Sequence, residues 1–358
     1  MFPSFIHPSL IIRHALSGIL TSHVSHLGAV ITLYSLVRRI IPAEQERKRE
    51  IAFIAACLHT VSPAGLFLSA PYGESTFAFT TFLGILCYVR AQEQHHLPTH
   101  QSHSPKSVWI LLSGFCFALS TLFRSNGLLH GTIFLFDAIA CLRTFLKAPS
   151  ASNLVHLITT ILAGSFIAIG FALPQAVAYL QYCTPEPSRP WCSHLPPSIY
   201  SWVQKHYWNV GFLSYWTPNN IPLFLLALPM LAVLSTTALA VLLEPQDFLA
   251  AVDGRSKLRS EAEGKLFAHV AARLAVPQIL LAAMATTSFH VQIINRISSG
   301  CALWYVVLAA LVAGRCSSRG SQQGLLGLLG GRREMMVRAM VGYAVVQGGL
   351  YAAFLPPA

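Results

Sequence analysis

Apolar residues run through this chain in long stretches that short polar and charged segments interrupt. Ten stretches stand out, near 11–37, 51–70, 74–91, 107–123, 127–143, 154–180, 221–243, 267–288, 298–314 and 335–355. Most approach the roughly 20 residues that a helix needs to cross the hydrocarbon of a bilayer. Prolines interrupt several of them, at Pro63, Pro174, Pro229 and Pro277. The pattern predicts an all-α polytopic membrane protein with about ten transmembrane helices, in which the pair at 107–143 either crosses twice or is re-entrant. We read residues 1–358 as a single domain with a long loop near 181–220, and 316–331 as a linker. Composition supports this: 54% of the 358 residues are hydrophobic and 10% are charged, where a soluble domain carries about 25% charged residues.

Charge sorts by loop. One alternating set contains Arg38, Arg39, Arg47, Lys48 and Arg49, then Lys106, then Arg143 and Lys147. It continues with Arg255, Lys257, Arg259 and Lys265, then Arg315, Arg319, Arg332 and Arg333. The other set holds Arg124, Arg189, Lys205 and Arg296. The positive-inside rule puts the first set in the cytosol and the second in the lumen or outside. The net charge of +11 is therefore a topology signal and argues against nucleic-acid binding. His95, His96, His100 and His103 could bind a metal, but no Cys or carboxylate completes a site there, so a solvated loop and no metal are expected. Cys57, Cys87, Cys116, Cys141 and Cys301 fall in spans and Cys316 in a cytosolic loop. Cys183 and Cys192 share the long luminal loop, where an oxidising lumen favours a disulfide. The alternative is two unpaired thiols in a packed loop.

The chemistry-bearing residues gather on the luminal side. Glu74 follows Ala70-Pro71-Tyr72-Gly73 at the start of a span. A carboxylate near hydrocarbon is costly unless paired or used, so it reads as a base or sugar ligand, or as an N-terminal helix acid favoured by the dipole. Arg124 and Asn126 lie in a donor-rich turn, Phe123-Arg124-Ser125-Asn126-Gly127. An arginine there either snorkels or presents a fork of donors suited to phosphate. Gln204, His206 and Trp208 lie among the aromatics of the 181–220 loop, and His290, Gln292 and Arg296 at another span's mouth. Aromatic platforms with polar neighbours suit sugars. A sugar on a lipid phosphate departs from a stable anion. One base and cations for the phosphate would then suffice.

These segments resemble the PIG-V family, the second mannosyltransferase of GPI-anchor assembly. The matching stretches are SPAGLFLSAPYGESTFAF, FRSNG, the PWC loop with SWVQKHYWNVGFLSYW, NIPLFLLALP and HVQIINRISSG. The resemblance implies a lipid-donor (GT-C type) glycosyltransferase architecture in the endoplasmic reticulum membrane. It implies dolichyl phosphate mannose as donor and a monomannosylated glucosaminyl-phosphatidylinositol as acceptor, joined α-1,6. It implies no cofactor or metal, and some members have a small accessory membrane subunit. Binding roles carry over to Arg124, Asn126, Gln204, His206, Trp208, His290, Gln292 and Arg296, and a catalytic role to Glu74. Family members begin with a further span and a luminal loop holding a Trp-Asp pair, whose aspartate is the usual candidate base. This chain opens at Met1-Phe2-Pro3 and contains no Trp-Asp pair, so a truncated chain, a wrong gene model or an inactive copy is expected. Two rival functions follow: an inactive scaffold, and a transporter, for which Asp137 is the acid placed deep in a span.

Overall fold

A computed structural model describes residues 8–96, 105–184, 189–253, 261–314 and 325–353. His100, His103, Glu186, Arg255, Lys257, Arg259, Arg315, Cys316 and Arg319 lie outside the described residues. Every regular element described is helical: α1 (Pro8–Ile40), α2 (Gln45–Thr60), α3 (Gly65–Ser69), α4 (Glu74–His96), α5 (Lys106–Phe123), α6 (Gly131–Lys147) and α7 (Ala151–Tyr182). They continue with α8 (Ile199–Trp208), α9 (Ile221–Leu243), α10 (Pro245–Asp253), α11 (Glu261–Thr287), α12 (Ile294–Ile297), α13 (Ala302–Ala313) and α14 (Leu325–Ala352). Short 3-10 turns join several of them. The stretch 316–331 is therefore helical from Leu325 onward rather than wholly a linker.

Among the described residues, six helices are long and apolar enough to cross a membrane: Leu10–Ile40, Lys106–Phe123, Ser125–Lys147, Ala151–Tyr182, Pro218–Leu243 and Glu261–Thr287. A seventh candidate is the pair Val291–Gly300 and Ala302–Ala313, bent by 79°. The chain is thus a polytopic membrane protein, with fewer helices that qualify by length and composition than the ten read from the sequence. The bent pair, a broken span or a re-entrant segment, lies at 291–313, whereas the two helices in 107–143 each qualify alone.

The shortfall has a physical cause. A helix facing lipid must be apolar, whereas one inside the bundle can carry polar groups that neighbours satisfy. On α1, Leu16, Leu20, Val24, Leu27 and Ile31 are all more than half exposed. Their three- and four-residue spacing lays one outward stripe, too large for a water-facing surface. By contrast α4 packs between α1 and α5 and buries Thr80, Thr81, Tyr88 and Gln92. The run at 51–70 is split, with α2 ending at Thr60 and α3 starting at Gly65.

The contacts give the bundle two chemically distinct ends. At one end Arg39 pairs with Glu93 (2.9 Å), Lys48 pairs with Glu263 (3.2 Å), and Arg47 and Arg333 donate to the Ala313 and Gly314 carbonyls. We call this the basic end. At the other, Ser25 of α1 meets Thr76 of α4 at 3.1 Å. Helices α1 and α4 therefore run parallel, and α2 with α3 carries the chain back between them. Helices α5 and α7 also run parallel and in close contact. A Cβ on Gly114 would meet the Ala163 carbonyl oxygen at 2.5 Å, and one on Gly170 the Ala118 carbonyl oxygen at 2.6 Å. Small residues let backbones approach in this way inside membranes.

Deep in the bundle, Asp137 of α6 accepts from Arg273 Nε at 2.6 Å and from the Tyr88 hydroxyl at 2.7 Å. Pairing between helices accounts for this acid without any transport role.

Candidate functional site

Glu74 starts α4 and is completely buried. Its Oε1 accepts from Arg124 Nη1 at 2.7 Å and from Arg296 Nη2 and Nε at 2.6 and 2.9 Å. Three distant segments meet here. Arg124 occupies the extended residue between α5 and the 3-10 turn Ser125–His130, and Arg296 lies on the short α12, within the first arm of the bent pair. The Arg296 guanidinium also lies over the rings of Phe67 (4.2 Å) and Tyr72 (5.0 Å), a cation–π arrangement that favours a partly desolvated cation.

One carboxylate shared by two arginines leaves the cluster with a net positive charge. Each guanidinium carries five N–H donors, and the bonds to Glu74 use one from Arg124 and two from Arg296. The arginine side chains are 19% and 16% exposed, against 0% for Glu74. The cations therefore reach outward and the carboxylate does not. Burial pulls the Arg124 guanidinium below its usual range, the Glu74 charge opposes that, and Arg296 adds to it. Oε2 of Glu74 is buried with no hydrogen-bond partner among the described residues. This geometry suits Glu74 to anchoring two cations. A general base would need to reach the proton it takes.

The other residues singled out in the sequence fall into three groups. Trp208, His290 and Gln292 join one chain of contacts: His290 Nε2 lies 2.6 Å from the Trp208 carbonyl oxygen, its ring stacks on Tyr215 at 4.6 Å, and the Tyr215 hydroxyl donates to Gln292 Oε1 at 3.1 Å. Gln292 lies one helical turn before Arg296, so this chain abuts the charge cluster. Gln204 and His206 lie on α8, outside that chain. His206 stacks on Trp202 at 4.6 Å, and the Gln204 carbonyl accepts from Val210 N to close the helix. Asn209 ends α8 in the left-handed conformation (φ 50°), which asparagine tolerates. Asn126 turns inward and lines a small cavity with Phe77, His130 and Gln278.

Sequence reasoning gave no individual role to the residues that join these groups. Ser125 Oγ donates to the Tyr200 hydroxyl at 2.7 Å, fixing α8 beside Arg124. Gln175 Oε1 accepts from Ser198 Oγ and from Tyr200 N, both at 3.1 Å. Gln175 is a lone amide next to Pro174 in an apolar run, and that polar interruption was the available signal. The loop from Leu213 to Trp216 is held to the end of α11 by Leu213 N to the Thr287 carbonyl (2.6 Å) and Trp216 Nε1 to the Thr286 carbonyl (2.8 Å). Cys183 and Cys192 form a disulfide with a Cα–Cα distance of 5.5 Å, and Trp191 beside it is buried. The 181–220 segment is thus structured around α8 as well as being a loop. No three His, Cys, Asp or Glu side chains among the described residues gather in a metal-holding arrangement.

Tyr207, Trp208, Phe212 and Trp216 are each more than half exposed. They lie on α8 and the loop after it, which the Ser125–Tyr200 and Tyr215–Gln292 bonds tie to the segments carrying Arg124 and Arg296, and they have the composition of a membrane interface and of a sugar platform alike.

The family model described as mannosyltransferase (PIG-V) matches residues 4–358. The chain is 40% identical over 345 residues to a GPI mannosyltransferase 2 of Gibberella zeae, covering 96% of this chain and 75% of that one. It is 40% identical over 347 residues to a GPI mannosyltransferase 2 of Aspergillus oryzae, covering 96% and 74%. A GPI mannosyltransferase 2 of Candida albicans is 31% identical over 349 residues, covering 96% and 74%. No solved structure matches the chain. The chain belongs to the PIG-V family of mannosyltransferases, membrane glycosyltransferases of GPI-anchor biosynthesis.

Proposed function

We propose that this chain transfers the second, α-1,6-linked mannose from dolichyl phosphate mannose to the monomannosylated glucosaminyl-phosphatidylinositol precursor. The reaction takes place on the luminal side of the endoplasmic reticulum membrane, within a GT-C type architecture. The observation that carries this is the pair of partly exposed cations, Arg124 and Arg296, clamped on buried Glu74, with the aromatic α8 held beside Arg124 by the Ser125–Tyr200 bond. Family membership supports the substrate assignment.

In the transfer, an acceptor hydroxyl oxygen bonds to the mannose anomeric carbon, the carbon–oxygen bond to phosphate breaks with its electron pair passing to the phosphate, and the hydroxyl proton is released to solvent. Negative charge grows on the departing phosphate, and two preorganised guanidiniums offset it where it develops. We assign Glu74 the task of holding both cations in register. Trp208, His206 and Gln204 on α8, with His290 and Gln292 across from them, supply ring faces and polar groups for the sugar.

The test is complementation. Cells lacking their own second GPI mannosyltransferase would express this chain, and their labelled GPI precursors would be profiled. Appearance of the two-mannose lipid is the expected result, lost on Arg124→Ala. Accumulation of the one-mannose lipid despite stable expression in the right membrane would overturn the reading and favour the non-catalytic scaffold.

A further inference from the structure

A second polar site lies at the far end of α5 from Arg124. The 18 residues of that helix put roughly 27 Å between the two at 1.5 Å per residue. There a cavity of about 740 Å³ opens among α4, α5, α6 and α7, with α11 at its back. Its volume lies within the range of small-molecule sites, about 300–1,000 Å³.

Its polar wall carries one lysine and three histidines against one acid. Because α5 and α7 run parallel, both begin at this cavity. Lys106 and Ser107 are the first two residues of α5, and Ser152 and Asn153 follow the first residue of α7. Two helix N-termini with their positive dipole ends thus border one space, that of α7 capped by the Ser150 hydroxyl on Asn153 N. Lys106 Nζ lies 3.1 Å from His156 Nε2, bridging the two helices at the cavity wall. His96 and His269 line the same space, their rings 5.5 Å apart. Its acid, Asp137, is already paired with Arg273 at 2.6 Å. Ile110, Phe134 and Val155 add apolar lining.

We propose that this cavity binds an anionic phospholipid at the basic end of the bundle. The headgroup phosphate sits between Lys106, His156 and the two helix N-termini, and an acyl chain lies along Phe134 and Val155. The apolar lining and the volume favour a lipid over free phosphate, which offers nothing to cover that lining. The site is separate from the Arg124–Arg296 cluster, so it goes beyond the transfer reaction and does not rest on it.

The test uses the full chain purified in a non-ionic detergent, with melting followed against three probes: dioctanoyl phosphatidylglycerol, dioctanoyl phosphatidylcholine and inorganic phosphate. The anionic lipid should raise Tm saturably, and the zwitterionic lipid and phosphate should do far less. Replacing both Lys106 and His156 by Ala should raise the half-saturating lipid concentration on the order of tenfold, as loss of one charge-assisted contact does. Lys106→Arg, which keeps the cation, should retain binding and guards against a folding defect in the double variant. An equal shift with phosphatidylcholine, or one unchanged by the double substitution, would overturn the proposal. So would phosphate alone reproducing the full shift, which would assign the site to a free anion.

Discussion

Arg296 places Nη2 2.6 Å from Oε1 of Glu74, across 222 residues of chain. Arg124 reaches the same oxygen from a third segment. A fully buried carboxylate is tolerable here because two cations share it, and the two cations stay close because the carboxylate lies between them.

The anchor role separates from a base role by substitution. Glu74→Gln preserves shape and an acceptor oxygen, so an anchor should retain measurable transfer and Glu74→Ala should retain much less. A general base would lose about 10²–10⁴-fold in rate on either change. Initial rates of mannolipid formation in membranes distinguish the two.

Removing an arginine leaves a buried charge with one partner fewer. Arg296→Ala also removes the contacts over Phe67 and Tyr72, so it should destabilise more than Arg124→Ala. The expected loss for Arg296→Ala is about 3 kcal/mol, the scale for breaking a buried pair. Arg296→Lys keeps the charge but not the fork, and should recover stability better than activity. Thermal unfolding and transfer rates of the three variants check the order.

Asp137 and Arg273 form an interior pair of the same kind. Asp137→Ala should lower Tm more than Asp137→Asn, because asparagine keeps one acceptor oxygen for Arg273 and can donate its NH2 to the Tyr88 hydroxyl oxygen. Transfer per folded molecule should survive both. Loss of transfer at unchanged stability would count against a purely structural pair.

The α5–α7 contact predicts a contrast between two glycines. A methyl at Gly114 would strike the Ala163 backbone, whereas one at Gly131 meets nothing within 4 Å. Gly114→Ala should therefore destabilise by about 1–3 kcal/mol through overpacking. Gly131→Ala should be neutral, or stabilising by about 0.5 kcal/mol, since alanine suits a helix better. Melting temperatures of the two variants, side by side, test this.

The two ends of the bundle should face opposite compartments. Cysteines at Arg49 and Lys205 should label with a membrane-impermeant reagent from opposite sides of sealed microsomes. Labelling of both from the same side would refute the alternation of charge.

What the sequence by itself determined was chemical class and partition. Its long apolar runs and scarce charge required a helical membrane protein, because only lipid-facing helices satisfy their backbones with so few polar residues. The loop charges separated Lys48 and Arg333 from Arg124 and Arg296, and the structure places these pairs at opposite ends. The number of qualifying helices was less legible. Apolarity reports contact with lipid, and an interior helix such as α4 does not need it. Only tertiary structure decided that Glu74, Arg124 and Arg296 form one cluster, that Asn126 lines a separate small cavity and that Tyr200 joins α8 to the segment carrying Arg124. Local pattern shows which residues reach a span's mouth. Which mouths lie side by side depends on how helices 50 and 222 residues apart in sequence pack together, a non-local property that no window of the chain contains.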